Sequence, residues 1–422
     1  MNGRDGSTKT RPLRRVLILA DESANWKVAG LTQLDRLALT LQEFAEADAL
    51  PRRLEVCVYW KSDIAPHGRR LPGDPRLRYL ELNDKAGAFL REDEPIDLVV
   101  STHVFLYRES VGPLLAALPA PAPRDAMDGD AWENLDRRLR TDLAAFASRK
   151  AAPPLWRVLV ARDEIRACER AFLRGNGKSQ DGLVSRHLNR RVSRFISRGL
   201  LKLPLTPSTW SLLIFVLPVL AAWEFSRGSY AGFVIGAAIF QLYSILDGCD
   251  GEIARAKFMQ TEFGRRLDSF LDLIGNMLLA LSLGLGLARH SAALRVDDWF
   301  YLTEGIVTAV LIATSEGIVF IRRSRGENVP AAVVGRWNGA LYQRHHEFLE
   351  RSGILFLGDK FAWWLVQLTK RDMAMLGFLI LAIVAWPAGI LHLQFLVAGL
   401  SSALAGNAFL RQPAPALAPE AS

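Results

Sequence analysis

Residues 247–272 read DGCDGEIARAKFMQTEFGRRLDSFLD and follow directly on the apolar run AGFVIGAAIFQLYSIL (231–246). Four aspartates and four basic residues therefore stand at the end of a segment apolar enough for lipid. On a helix Asp247, Asp250, Gly251 and Ala254 lie at spacings of three and four, hence on one face. Asp268 and Asp272 repeat the pattern at the start of the next apolar span, with Gly264 one turn before them. Carboxylates so placed repel one another and resist desolvation unless a cation compensates. Oxygen donors select a hard divalent ion, Mg2+, Mn2+ or Ca2+, over zinc. One or two such ions would orient the phosphates of a substrate and offset charge developing in a displacement. Gly248, Gly251, Gly264 and, deeper, Gly275 take side chains away where a ligand or a facing helix comes close, and Arg255 adds a phosphate contact. Carboxylates that only mark helix ends are the competing reading, which suits isolated aspartates better than four at this spacing.

Working outward, the 422-residue chain is 50% hydrophobic yet 23% charged, a combination that fits poorly in one soluble domain. The composition shift near residue 200 resolves it: mixed patterning before, long apolar runs after. Six apolar spans follow, near 209–226, 230–247, 269–288, 299–320, 373–388 and 390–409, each approaching the roughly 20 residues needed to cross a bilayer. Basic residues concentrate in 248–267 and 321–371, which places that side, the N-terminal domain and the C-terminus in the cytoplasm at the inner membrane. The segment 184–204 interleaves seven Lys, Arg and His residues with Val, Leu, Phe and Ile. It reads as a basic amphipathic helix on membrane lipids, with a solvated basic linker as the competing reading. The net charge of +8 is assigned to membrane and phosphate rather than nucleic acid. Cys57, Cys168 and Cys249 are too few and too scattered for a disulfide framework or a zinc site.

Before the boundary, RVLILA (15–20), LEVCVYW (54–60), IDLVVS (96–101) and LWRVLVA (155–161) alternate with helical patterns, the signature of α/β layering on a mostly parallel sheet. Leu31, Leu34, Leu37, Leu41 and Phe44 make one amphipathic stripe. Residues 121–137 read as a surface excursion, 176–182 as a linker, and 323–371 as holding one or two interfacial helices. The organisation expected is 1–180 a cytoplasmic α/β domain, 181–208 the interfacial helix, 209–410 an all-α membrane domain, and 411–422 a disordered tail.

The pattern Asp247-x-x-Asp250-Gly251-x-x-Ala254-Arg255, then Gly264-x-x-x-Asp268-x-x-x-Asp272, resembles the complete signature of the CDP-alcohol phosphotransferases, and the likeness extends over about 183–410. That family moves a substituted phosphate from a CDP-linked donor onto the hydroxyl of an alcohol acceptor and releases CMP. The resemblance implies that Asp247, Asp250, Asp268 and Asp272 hold two divalent ions, Mg2+ or Mn2+, and that Asp272 also takes the proton of the attacking hydroxyl. It further implies a cytidine pocket lined by Gly251, Ala254 and Gly264 with Arg255 beside it, and a homodimer. Residues 181–213 and KRD (370–372) look most like the inositol-phosphate-using members, of the di-myo-inositol phosphate phosphate synthase type. Arg322, Arg323 and Arg371 are then candidates for the acceptor's phosphate, or else plain positive-side anchors.

Such members carry a Rossmann-like, nucleotidyltransferase-type domain in front. Residues 28–45 and 97–115 are similar to parts of one. The glycine-rich phosphate loop is replaced by DESANWK (21–27), and Ser101-Thr102-His103 stands where a metal aspartate is expected. A silent front domain follows, with two alternatives: a front domain that makes the CDP-alcohol from CTP, and a membrane scaffold without turnover. Asp21, Lys27 and His103 as an unusual site, the pair His345-His346 as solvated residues and Trp363-Trp364 as interfacial anchors complete the expectations.

Overall fold

The computed structural model describes residues 13–46, 54–61, 77, 80–83, 86–89, 95–106, 111, 114–115, 131–147, 156–175, 184–293, 299–324 and 371–410. The basic tail before residue 13, most of the excursion at 121–137, the linker at 176–182, the interfacial segment after 324 with its histidine and tryptophan pairs, and the tail at 411–422 lie outside them. The chain divides into two compact units, Met1–Gly175 and Asn176–Ser422.

In the first unit RVLILA forms β1 (Arg15–Ala20), with all six residues buried. A strand covered on both faces needs no polar alternation, which explains the unbroken apolar run. The short strands β2 (Lys27–Val28) and β3 (Leu31–Thr32) pair with each other and lead into α1 (Gln33–Glu46). β1 lies parallel to β4 (Leu54–Trp60) on one side and to β6 (Leu98–Ser101) on the other, and β5 (Leu80–Asn83) extends the sheet beyond β4. The order is β5-β4-β1-β6. Leu34, Leu37 and Leu41 of α1 cover one face against Val16 and Ile18. Beyond the four-residue α2 (Ala86–Phe89), α3 (Ala131–Ala147) covers the other face, setting Trp132 and Leu135 against Leu17, Leu19 and Cys57.

One expected strand is misplaced by the pattern. Within 155–161 only β8 (Trp156–Val158) is extended, and it pairs antiparallel with β7 (Val104–Leu106), outside the parallel sheet. The fourth parallel strand is β5, whose LELN is too short and too mixed to stand out. Helix α4 (Ile165–Gly175) closes the unit.

The second unit is helical. A π-helical turn (Ser185–Asn189) opens into α5 (Arg190–Leu200), whose buried residues are Arg190, Ser193 and Ser197 while Phe195 stands 71% exposed. Next come α6 (Pro207–Ile214), α7 (Val216–Ser226), α8 (Tyr230–Ala256), α9 (Glu262–Ala293), α10 (Trp299–Ser324), α11 (Arg371–Ile383) and α12 (Pro387–Leu410). Among the described residues three stretches are long and apolar enough to cross a membrane: Pro207–Ser226, Tyr230–Ala256 and Glu262–Ala292. Thr206 caps α6, its hydroxyl accepting from Thr209 N with Pro207 at the first position, and Ser229 caps α8 through Gly232 N. Phe225, Phe233, Phe240, Leu283, Met375 and Leu391 form the shared core.

Glycine decides how closely these helices approach. A Cβ at Gly286 would lie 1.9 Å from the Phe225 carbonyl oxygen, and a Cβ on Gly284 or Gly305 would lie 3.0 Å from the other's Cα. At Gly275 the same test meets Pro218 at an ordinary 3.7 Å, so no close approach requires glycine there.

Candidate active site and the N-terminal switch point

The aspartates sit on the facing ends of α8 and α9, joined by the five-residue connection 257–261. Asp247 and Asp250 come from the last turns of α8, Asp268 and Asp272 from the second and third turns of α9. Asp247, Asp250 and Asp268, each half-buried, bring one carboxylate oxygen apiece within 4.8 Å of one another. Three hard oxygen donors gathered so closely are a donor set that suits Mg2+ or Mn2+.

Helix α6 supports this group from the side. Ser211 Oγ donates to Asp250 Oδ2 at 2.7 Å, and the Trp210 indole donates to the Leu246 carbonyl at 3.1 Å, one residue before Asp247. Neither contact was legible in the sequence, since more than thirty residues separate the partners.

Asp272 is held differently. Its Oδ1 accepts from the Tyr243 hydroxyl at 3.2 Å and from Arg371, whose Nη1 also lies 3.4 Å from Asp247 Oδ2. The Arg371 guanidinium rests 4.8 Å from the Tyr243 ring centroid. Tyr243 went unnoticed in the sequence although it stands one helical turn before Asp247, a spacing that would have placed it on the same face.

Of the other residues singled out, Gly251 and Ala254 lie on α8, with Arg255 at its end and its guanidinium beside Gly251. A Cβ on Gly251 would meet only that guanidinium, at 3.0 Å, and one on Gly264 only the hydroxyls of Thr261 and Ser208, at 3.1 and 3.5 Å. No neighbouring backbone therefore demands glycine at either position. Of the three arginines, Arg371, first residue of α11, reaches the aspartates; Arg322 and Arg323 belong to the last turn of α10, with their side chains outside the described residues.

Behind the aspartates Glu252 is 1% exposed. Its Oε1 accepts from Arg190 Nη1 at 3.0 Å and Ser193 Oγ at 2.9 Å, and the same Nη1 donates to the Gly248 carbonyl at 3.2 Å. This buried pair fastens α5 to the back of α8.

The first unit has its own polar cluster. In sequence order β4 and β5 follow β1 on one side and β6 then joins it on the other, so the strand order reverses between β1 and β6, whose carboxyl ends flank the crevice where doubly wound sheets bind ligands. Here Asp21 Oδ2 meets His103 Nε2 at 2.7 Å, Asp21 Oδ1 accepts from Ser23 N and Oγ at 2.8 and 2.6 Å, and Ser23 Oγ meets Thr102 Oγ1 at 2.6 Å. His103 Nδ1 lies 2.6 Å from the Leu159 carbonyl. Both ring nitrogens face acceptors, so imidazolium is the form that satisfies both. Burial opposes charge on His103, but the bonds to Asp21 and Leu159 outweigh it and raise its pKa above the usual value. Burial likewise opposes charge on Asp21, and the bonds from His103 and Ser23 prevail, holding it at about 2. Lys27, the third residue of the expected trio, is exposed on β2 and takes no part in these bonds.

Comparison with known proteins bears on the second unit. Residues 204–396 match the CDP-alcohol phosphatidyltransferase family. Three relatives carry the name bifunctional IPC transferase and DIPP synthase. That of Rubrobacter xylanophilus is 36% identical over 172 residues, covering 40% of this chain and 39% of its own length. That of Thermococcus kodakarensis is 36% identical over 118 residues, 28% of this chain and 26% of the relative. That of Aquifex aeolicus is 42% identical over 92 residues, 22% and 20% respectively. The chain thus spans about two fifths or less of the length of these relatives.

Proposed function

We propose that the CDP-alcohol phosphatidyltransferase domain carried by residues 204–396 transfers a substituted phosphate group from a CDP-linked donor, CDP-diacylglycerol or a CDP-polyol, to the hydroxyl of an alcohol, and releases CMP. The observation that carries this reading is the convergence of Asp247, Asp250 and Asp268 within 4.8 Å, with Asp272 beside them on the same helix face as Asp268. The three would hold a divalent ion, Mg2+ or Mn2+, and with Asp272 a second. Such ions supply charge neutralisation for the diphosphate and its leaving group. Asp272, kept in place by Tyr243, is the group positioned to accept the proton of the attacking hydroxyl. Gly251, Ala254 and Gly264 leave room for the cytidine, with Arg255 beside it. Arg371 favours a polyol phosphate among acceptors, a choice in keeping with the name carried by the relatives.

Six membrane spans, a cytoplasmic active site at the inner membrane and a homodimer complete the proposal. The three apolar spans and the basic connections support the first two. The α/β unit is read as a silent nucleotidyltransferase-like domain, because Asp21, Ser23, Thr102 and His103 satisfy one another at the switch point where a nucleotide would need them. A second reading, a bifunctional chain whose front domain makes the CDP-alcohol, is favoured by the word bifunctional in the relatives' name.

The test is a CMP-release assay on the purified chain with CDP-diacylglycerol or CDP-inositol, each with inositol, inositol phosphate and glycerol phosphate. Turnover should require divalent metal and fall by about a hundredfold or more in Asp268→Asn. Unchanged CMP release in that variant would refute the transferase reading. Pyrophosphate formed from CTP and inositol phosphate would establish the bifunctional one.

A further inference from the structure

Arg371 occupies a position that the aspartate pattern does not require of it. One guanidinium nitrogen contacts both Asp272 and Asp247, the latter itself a member of the three-carboxylate group. The guanidinium thus bridges Asp247 and Asp272 and supplies the positive charge between them. Tyr243 lies beneath it and donates to the same Asp272 oxygen, so three groups converge on one point. Its neighbour Asp372, 8% exposed, accepts from Ser185 N at 2.5 Å and fixes the start of α11 to the turn that precedes α5. With the backbone pinned at Asp372, the long side chain of Arg371 is the part able to move.

We propose that Arg371 is a displaceable counter-cation that couples loading of a second divalent ion to arrival of an anionic acceptor. The inference rests on reading the aspartates as a metal centre. While the site is only partly loaded, Arg371 neutralises Asp247 and Asp272, which would otherwise repel each other. A guanidinium and a divalent ion cannot share these carboxylates without repulsion, and the half-buried setting leaves little water to screen it. Arg371 therefore yields its place only when another anion takes it. A phosphate on the acceptor supplies that anion, and the guanidinium fork suits it. An uncharged alcohol offers nothing in exchange and leaves Arg371 where it is. The acceptor class is accordingly a phosphorylated or otherwise anionic polyol. Binding of the second ion and of the acceptor become reciprocal, each tightening the other by the same factor.

Mn2+ binding to the full chain in lipid nanodiscs, followed by electron paramagnetic resonance with and without sn-glycerol 3-phosphate or glycerol, tests this apart from activity. The wild type should bind one Mn2+ tightly and a second more weakly by about tenfold, and glycerol phosphate but not glycerol should remove that difference. Arg371→Gln should bind both ions alike and respond to neither additive. Arg371→Lys, which keeps the charge and guards against a merely misfolded variant, should lie between them. Two equal Mn2+ sites in the wild type without acceptor, or an unchanged weak site in Arg371→Gln, would overturn the proposal while leaving the metal centre intact. Absence of Mn2+ binding in the wild type would instead remove the metal-centre reading and the inference with it.

Discussion

Asp268 and His103 show two uses of a charged side chain. Asp268 brings its carboxylate within 4.8 Å of those of Asp247 and Asp250, a gathering of like charges. His103 closes a neutral account with Asp21, their side chains 13% and 16% exposed. The second arrangement makes stability depend on pH. A histidine whose pKa is raised on folding contributes fully below its unfolded value near 6.5, and the contribution fades as pH rises through the higher folded value. The Asp21 contribution is present above its unfolded value and is lost only as pH falls toward about 2. The first unit should therefore lose stability as pH rises from about 6.5 through the higher folded value of His103. Pulse proteolysis of the full chain across that range measures it, and His103→Gln should flatten the profile. At this scale the convergence of Asp247, Asp250 and Asp268 was legible, because spacings of three and four translate directly into one helix face, while Asp272 is held apart from that group by Tyr243 and Arg371. Ser211, Tyr243 and the Arg371 contact to Asp247 and Asp272 were less so: contacts made across 29 to 124 residues leave no local mark.

Between elements, the packing of α5 on α8 depends on Arg190 and Glu252, whose side chains are 6% and 2% exposed. Removing one partner leaves the other charge buried without its counter-ion. Glu252→Ala should cost about 3–5 kcal/mol, and the double variant Arg190→Met with Glu252→Leu should recover most of it. Unfolding in graded detergent mixtures measures both, and equal losses in the single and double variants would contradict the clamp. The caps at Thr206 and Ser229 are known from the structure, whereas the helices themselves were legible as apolar runs. Their closest contacts were not. The glycines read as making room in the sequence flank the aspartates, whereas those that structure the bundle are Gly284, Gly286 and Gly305. A glycine in an apolar run carries no sign of which backbone faces it. In the α/β unit a doubly covered strand such as β1 was evident, while β5, β7 and the antiparallel pairing of β7 with β8 were hidden by their brevity.

Over the whole molecule, the structure divides into two units between Gly175 and Asn176, ahead of the composition shift near residue 200. α8 has a property that reaches beyond its own packing. Its 27 residues run about 40 Å at 1.5 Å each, some 10 Å more than the roughly 30 Å of a bilayer's hydrocarbon. With α8 set across a bilayer as proposed above, the surplus carries Asp247 and Asp250, and the acidic group would lie level with the headgroups only for a host membrane of suitable thickness. Longer acyl chains raise the hydrocarbon boundary toward these carboxylates and make their ionised state costlier; shorter chains lower it and leave them in water. Turnover in vesicles should accordingly fall as chains lengthen at constant headgroup, and added divalent metal should partly offset the loss. On the function proposed, acyl composition becomes a reagent in its own right, acting through the depth at which these carboxylates lie.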